Sequence, residues 1–187
     1  MRRGFKKWCE EQAIHWRKEL DLPVHVYLPA RQLADRMLID VFQPIDIPEL
    51  AWKDANQLLQ CDVSGWSAVT VSTDGCIIII YNPNHSPARQ EADIMHELAH
   101  IICGHSSISF KNIPWFPFPL REYRKADEEE AKWLGSCLQI PRDSLVWALN
   151  CGMTQHQAIA EHFVASVQMV QFRRNMTGVD VQRRRMH

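Results

Sequence analysis

Two histidines separated by one helical turn offer the clearest chemistry in this sequence. His96 and His100 flank Glu97 in the pentapeptide HELAH. On an α-helix, residues four apart differ by only about 40° in direction around the axis, so both imidazoles would project from one face and could share a metal ion. Neutral imidazoles bind Zn²⁺ well, and zinc brings the pKa of a bound water molecule near neutrality. The spacing therefore predicts a zinc site with His96 and His100 as ligands.

The glutamate that follows His96 has a different direction and a different predicted role. Glu97 lies about 100° around the helix from His96, so its carboxylate can reach a water molecule beside the metal ion without being a ligand. We therefore predict that Glu97 is the general base of a hydrolytic reaction. The same pattern also occurs by chance on exposed helix faces, but this helix has apolar residues to bury, namely Ile94, Met95, Leu98, Ala99, Ile101 and Ile102. These residues favour the zinc interpretation.

A catalytic zinc ion normally takes three protein ligands and one water molecule, so a third ligand is needed. His105 is nine residues after His96. This separation corresponds to about 900° of rotation, and a helix that continued to residue 105 would place His105 on the opposite face. Gly104 is expected to stop the helix. We therefore predict that His105 is a helix-cap or surface residue beside Gly104.

A second predicted helix, from residue 127 to residue 140, carries the other candidates for the third ligand. Glu128 lies near the edge of its inward face, Glu129 points away, and Glu130 lies on the other flank. A glutamate from this helix would complete a His₂Glu zinc site, and the pattern leaves Glu128 and Glu130 both open. Acidic residues also interact favourably with the dipole at a helix start, which accounts for Glu129. The inward face is defined by Ala131, Leu134, Gly135 and Leu138.

The elements that must position these residues follow from periodicity and turn signals. Two β-rich segments, 66–71 and 76–81, are joined through Asp74-Gly75, which is typical of a hairpin. Ser86-Pro87 then begins the helix that carries the histidines and runs to Cys103. We predict a mostly helical α+β fold with one small antiparallel sheet packed near that helix. The other predicted elements are a strand at 38–42 and helices at 4–19, 31–37, 50–59, 142–150, 154–162 and 165–176.

Composition indicates one electrically neutral domain. The chain has 187 residues, 21 Lys and Arg, 22 Asp and Glu, and 46% hydrophobic residues. These values predict a single domain over residues 1–187, with 142–178 as a helical C-terminal subdomain and 179–187 as a basic tail. Glu10 and Glu11 interrupt the N-terminus before an apolar stretch develops, and no segment has the length of a membrane span. The cysteines form no CxxC pair, which predicts reduced thiols and a cytoplasmic location.

Three segments together resemble the ImmA/IrrE-type metallopeptidases. They are the approach to the first helix at residues 77–89, the helix HELAHIICGH at 96–105, and residues 128–141, which are similar to the family pattern E-x-[EQ]-A-[ND]-x-F-A-x-x-L-L-x-P. The resemblance covers roughly residues 30–178. It implies a zincin-like, minimal gluzincin fold with one Zn²⁺ per chain and Glu128 as the third ligand. Lys132 stands where the family usually has Asn or Asp.

The same resemblance implies a cytoplasmic zinc endopeptidase that acts on a regulatory protein, commonly a helix-turn-helix transcriptional repressor of a mobile element or stress regulon. In such an enzyme Glu97 takes a proton from the attacking water and returns it to the leaving amine. Tyr123 and His105 are candidates by residue type for stabilising the oxyanion. The near-zero net charge predicts no general binding to nucleic acid, and the oligomeric state stays open.

Two alternative functions use other parts of the chain. Residues 154–163, 164–166 and 167–174 have the spacing of a helix-turn-helix and precede three arginines at 183–185, which would suit a DNA-binding module. Residues 143–163 show no basic excess, however. The second alternative is a catalytically weak zinc-containing protein that binds a partner through the aromatic, proline-rich segment 114–119.

Overall fold

The helices and strands lie within the ranges that the computed structural model describes, residues 1–47, 56, 59–60, 65–73, 76–105 and 124–184. Most of the predicted helix 50–59, the segment 114–119 and Tyr123 fall outside these residues. In chain order the elements are α1 (Phe5–Glu19), α2 (Ala30–Arg36), β1 (Asp40–Phe42), a 3₁₀ turn (Pro44–Asp46), β2 (Ala68–Thr73), β3 (Cys76–Tyr81), α3 (Pro87–Ile102), α4 (Lys125–Gln139), α5 (Arg142–Asn150), α6 (His156–His162), α7 (Val167–Thr177) and α8 (Val179–Arg184).

The strands form one sheet in the order β1–β3–β2. β2 and β3 pair antiparallel, with Thr73 opposite Cys76, as the hairpin signal predicts. β1 pairs parallel with β3, with Val41 opposite Ile79, so the sheet is mixed and not purely antiparallel. Parallel neighbours need a crossover connection of about a dozen residues or more, and the chain between β1 and β3 is long enough because it includes β2. The predicted fold class, mostly helical α+β with one small sheet, is confirmed.

Helices α3 and α4 pack against each other in the centre of the main hydrophobic core. Gly135 of α4 sits against the backbone of α3, where an added Cβ would lie 3.2 Å from the carbonyl oxygen of Met95. The absence of a side chain at this residue therefore lets the two helices approach closely, next to the HExxH segment. The buried residues that join α3 to α4 include Ile94, Met95, Leu98, Ala99, Ala131, Leu134 and Leu138.

Two buried arginines hold the C-terminal end of α4. Arg17 of α1 donates to the carbonyl oxygens of Leu138 at 2.8 Å and Gln139 at 3.2 Å. Arg173 of α7 donates through Nε to the carbonyl oxygen of Ile140 at 2.8 Å. Burial lowers the pKa of Arg17 to about 10, which leaves its guanidinium group charged near neutral pH. The last carbonyls of α4, which have no partner within the helix, are thus satisfied by side chains from both flanks.

The helices after Pro141 enclose a second, smaller hydrophobic core. The predicted basic tail begins as a helix, because α8 covers Val179–Arg184. The division of the chain into one domain with a C-terminal subdomain stays a prediction. Among the described helices, none has the length and apolar character needed to cross a membrane. The second core contains Ile140, Leu145, Ala148, Leu149, Ile159, Ala160, Phe163, Ala165, Val170 and Val179.

Candidate metal centre

Three predicted site residues meet where α3 faces the first turn of α4. The Nε2 atoms of His96 and His100 lie 3.0 Å apart. Glu128 places Oε2 3.0 Å from Nε2 of His96 and Oε1 3.3 Å from Nε2 of His100. We call His96, His100 and Glu128 the outer cluster. The structure therefore brings Glu128 to both histidines.

The outer cluster has the dimensions of a tetrahedral zinc site. Zinc–ligand distances of about 2.0 to 2.2 Å place the donor atoms of such a site roughly 3.3 Å apart. The separation between the two imidazole nitrogens is 3.0 Å, and those between the imidazoles and the carboxylate are 3.0 and 3.3 Å. All three are close to this value. The side chains of His96 and Glu128 are 32% and 28% exposed, which leaves one side of the cluster open to solvent. Two nitrogens, one carboxylate and an open side suit a catalytic metal ion.

Glu97, the predicted general base, contacts the sheet. Its carboxylate is buried, and Oε2 accepts a hydrogen bond from the Thr70 hydroxyl at 2.5 Å. Thr70 lies on β2, so the hairpin before α3 fixes one oxygen of the predicted general base. Sequence reasoning did not identify Thr70, because a threonine in a β-strand carries no signal of its own.

His105 lies beside the outer cluster, so the prediction of a surface residue is wrong. Gly104 has a φ of +68°, and the chain reverses after α3. The Gly104 amide donates to the carbonyl of Ile101 at 3.0 Å and the His105 amide to that of His100 at 3.1 Å, the two bonds of a Schellman cap. The reversal brings Nδ1 of His105 to 2.9 Å from Nδ1 of His100. The backbone of His105 does take part in the cap, as predicted.

The three consecutive glutamates of α4 have three different surroundings. Glu128 faces the outer cluster, and Glu129 is exposed. Glu130 is buried, with Oε2 3.2 Å from the Arg2 guanidinium and 3.5 Å from Nε2 of His105. It therefore does not take the place of Glu128 at the two histidines. A second group of possible donors, Cys103, His105 and Glu130, has atoms within 4.8 Å of one another, and we call it the inner cluster.

Lys132, one turn after Glu128, takes no part in the contacts described for the outer cluster. Its side chain is exposed, and Nζ lies 5.8 Å from the centre of the Phe172 ring. The Asn or Asp that the family pattern has at this position could accept a hydrogen bond, whereas a lysine ammonium group has no lone pair and can only donate. Here the lysine instead covers an aromatic side chain.

The helix pair α6–α7 has the order expected of a helix-turn-helix, but its arginines are engaged within the protein. Arg173 is fully buried and ion-paired with Glu10. Arg174 pairs with Asp180 at 2.6 Å and donates to the carbonyl of Thr154. These contacts direct both guanidinium groups to protein atoms, which does not favour the DNA-binding alternative.

A mostly helical α+β domain in which an HExxH helix faces a glutamate of a second helix has the architecture of the zincin-like metallopeptidases. The chain belongs to the Peptidase_M78 family, whose model, the IrrE N-terminal-like domain, matches residues 64–175, more than half of the sequence. This match confirms the resemblance to ImmA/IrrE-type proteins, a family of metallopeptidases. No curated protein and no solved structure matches the chain.

Proposed function

We propose that this protein is a cytoplasmic zinc-dependent endopeptidase that cleaves a regulatory protein, such as a helix-turn-helix transcriptional repressor. The observation that carries the proposal is the contact of Glu128 with both histidines of the HExxH motif, at 3.0 and 3.3 Å. A zinc ion held by His96, His100 and Glu128 would polarise the scissile carbonyl group and lower the pKa of a water molecule. Membership of a peptidase family supports the hydrolytic reaction.

Glu97 supplies the proton transfers in this proposal. Its carboxylate accepts a proton from the attacking water and passes it to the departing amine nitrogen. The hydrogen bond from Thr70 holds one carboxylate oxygen, so the group does not have to be oriented during the reaction. Glu97 is 9% exposed, which limits the access of bulk water to this residue.

A polypeptide substrate is supported by exposure and charge. The partly exposed His96 and Glu128 leave the cluster accessible from solvent, as cleavage of another protein requires. The net charge of −1 gives no general attraction to nucleic acid, so we expect recognition to run through protein contacts. Among the cysteines in the described part of the chain, no disulfide is formed, which supports a reducing compartment. A repressor is proposed because the family resemblance implies one.

The experiment compares the wild type with Glu97→Gln in cells that co-express a helix-turn-helix repressor encoded beside the gene. Purified wild type is expected to contain about one zinc per chain. Glu97→Gln should keep that zinc and lose cleavage by a factor of about 10² to 10⁴, because only the general base is removed. Glu129→Gln makes the same exchange at an exposed position and should leave both properties unchanged.

Three outcomes would contradict the proposal. A wild type without zinc would remove the metal centre, and normal cleavage by Glu97→Gln would remove the assigned base. A wild type that holds zinc and binds the repressor but leaves it intact would favour the catalytically weak binding protein instead.

A further inference from the structure

The second imidazole nitrogen of His100 contacts another buried histidine. Nδ1 of His100 lies 2.9 Å from Nδ1 of His105, which is hydrogen-bonding distance. The side chains of His100 and His105 are only 4% and 7% exposed. Two buried imidazoles at this distance must share one proton, with one ring as donor and the other as acceptor.

A metal ion would decide which ring donates. If Nε2 of a neutral His100 presents its lone pair to the outer cluster, the ring must carry its proton on Nδ1. That proton is then donated to Nδ1 of His105. His105 in turn carries its own proton on Nε2, the atom that faces Oε2 of Glu130 at 3.5 Å. Arg2 approaches the same carboxylate oxygen at 3.2 Å and forms an ion pair with Glu130, the final acceptor of this series.

We propose that His105 and Glu130 are positioning residues that fix the ring orientation and tautomer of His100 and thereby raise the affinity of the outer cluster for its metal. The inference rests on the proposed metal site, which it deepens. Groups that orient a metal-bound histidine in this way commonly change metal affinity by a factor of about 10 to 100. The series of contacts from His100 through His105 and Glu130 to Arg2 lies behind His100, away from the partly exposed His96 and Glu128.

The inner cluster is also a candidate for a second metal site, but its contacts favour a role in positioning His100. Nδ1 of His105 is committed to His100, and Glu130 is committed to the cation of Arg2. The side chains of His105 and Glu130 are 7% and 11% exposed, so a metal ion would have to displace existing partners in a largely closed space.

The test measures zinc affinity by competition with a chelator, using Zn²⁺ alone and no substrate. His105→Phe keeps a ring of similar size but removes the acceptor, and it should weaken zinc binding about 10- to 100-fold. His105→Gln retains an acceptor oxygen and should recover part of that loss. With Co²⁺ in place of zinc, His105→Phe should alter the visible absorption bands, which report ligand geometry. His15→Phe makes the same exchange at an exposed position of α1 and should leave affinity and bands unchanged.

Glu130→Gln is a second test in case His105→Phe fails to fold. It changes only the carboxylate that contacts His105 and leaves both histidines in place. It should weaken zinc binding by less than His105→Phe, with the thermal midpoint of the metal-free protein retained. Wild-type affinity in either folded variant would overturn the inference. Two zinc ions per wild-type chain, falling to one in His105→Phe, would also overturn it in favour of a second site. A wild type that binds no zinc refutes the proposed function itself, whereas unaltered binding in these variants refutes only the positioning role.

Discussion

The outer cluster lies on α3 and α4, and the inner cluster on α4 and the turn that follows α3; they use nearly the same kinds of side chain but differ in what surrounds them. Each offers three metal-competent groups within 4.8 Å. In the outer cluster, His96 and Glu128 are about one-third exposed, and the donors face one another. In the inner cluster, Glu130 forms an ion pair with Arg2, and His105 contacts His100. Residue type and distance therefore do not decide which cluster holds a metal. Solvent exposure separates the two clusters, and the partial exposure of His96 and Glu128 favours the outer cluster as the metal site.

The largest effect should come from removing the carboxylate of the outer cluster. Glu128→Ala leaves two imidazoles where zinc needs three protein ligands, so zinc content should fall from about one per chain to near zero in metal analysis after gel filtration. Glu129→Ala, its exposed neighbour, is the control and should keep a full complement. Full zinc content in Glu128→Ala would assign the metal to other residues and break the distinction between the clusters.

A smaller effect is expected from Thr70, which contacts the general base Glu97, whereas His105 contacts the metal ligand His100. Thr70→Val removes the hydroxyl that donates to Glu97 while keeping the shape of the side chain, so zinc affinity should stay as in the wild type. A hydrogen bond to a charged group contributes about 1.5 to 3 kcal/mol, and we expect kcat for repressor cleavage to fall on the order of tenfold. Thr70→Ser keeps the hydroxyl and should retain most activity. A loss of zinc in Thr70→Val would show that β2 supports the metal site as well.

The smallest effect is expected at the third member of the inner cluster. Cys103→Ser should leave zinc stoichiometry, zinc affinity and cleavage unchanged, because the support for His100 passes through His105 and Glu130 and not through this thiol. The measurement is the same chelator competition that is used for His105→Phe. A reduced stoichiometry would identify Cys103 as a ligand and make the inner cluster a second metal site.

The sequence predicts those parts of the molecule that depend on local periodicity. The helix expected at 142–150 is α5, since Pro141 marks the boundary with the preceding helix. His96 and His100 converge because helical geometry alone sets their directions. Glu128 was indicated by the family pattern, and the structure brings it to both histidines.

The parts that sequence reasoning missed depend on chain reversal or on distant partners. Gly104 was expected to end the helix and His105 to be a cap or surface residue, but the direction of the chain reversal was not predicted, so the contact of the His105 side chain with His100 was missed. Thr70 is on a strand that precedes Glu97 by 27 residues, and Arg2 precedes Glu130 by 128. Such pairings follow from packing of the whole chain, which spacing does not encode.

Arg17 and Arg173, which bind the carbonyls at the end of α4, limit how far the protein can be truncated at its N-terminal side. The family model begins at residue 64, but Arg17, which binds the carbonyls of Leu138 and Gln139, lies before that boundary. Glu10, the ion-pair partner of the buried Arg173, lies before it as well. A fragment with the family's limits would lose both the carboxylate that pairs with Arg173 and the guanidinium that binds the end of α4. The segment that the family model matches is thus shorter than the segment that should be expressed together, and α1 belongs in every recombinant fragment meant to keep α4 in place.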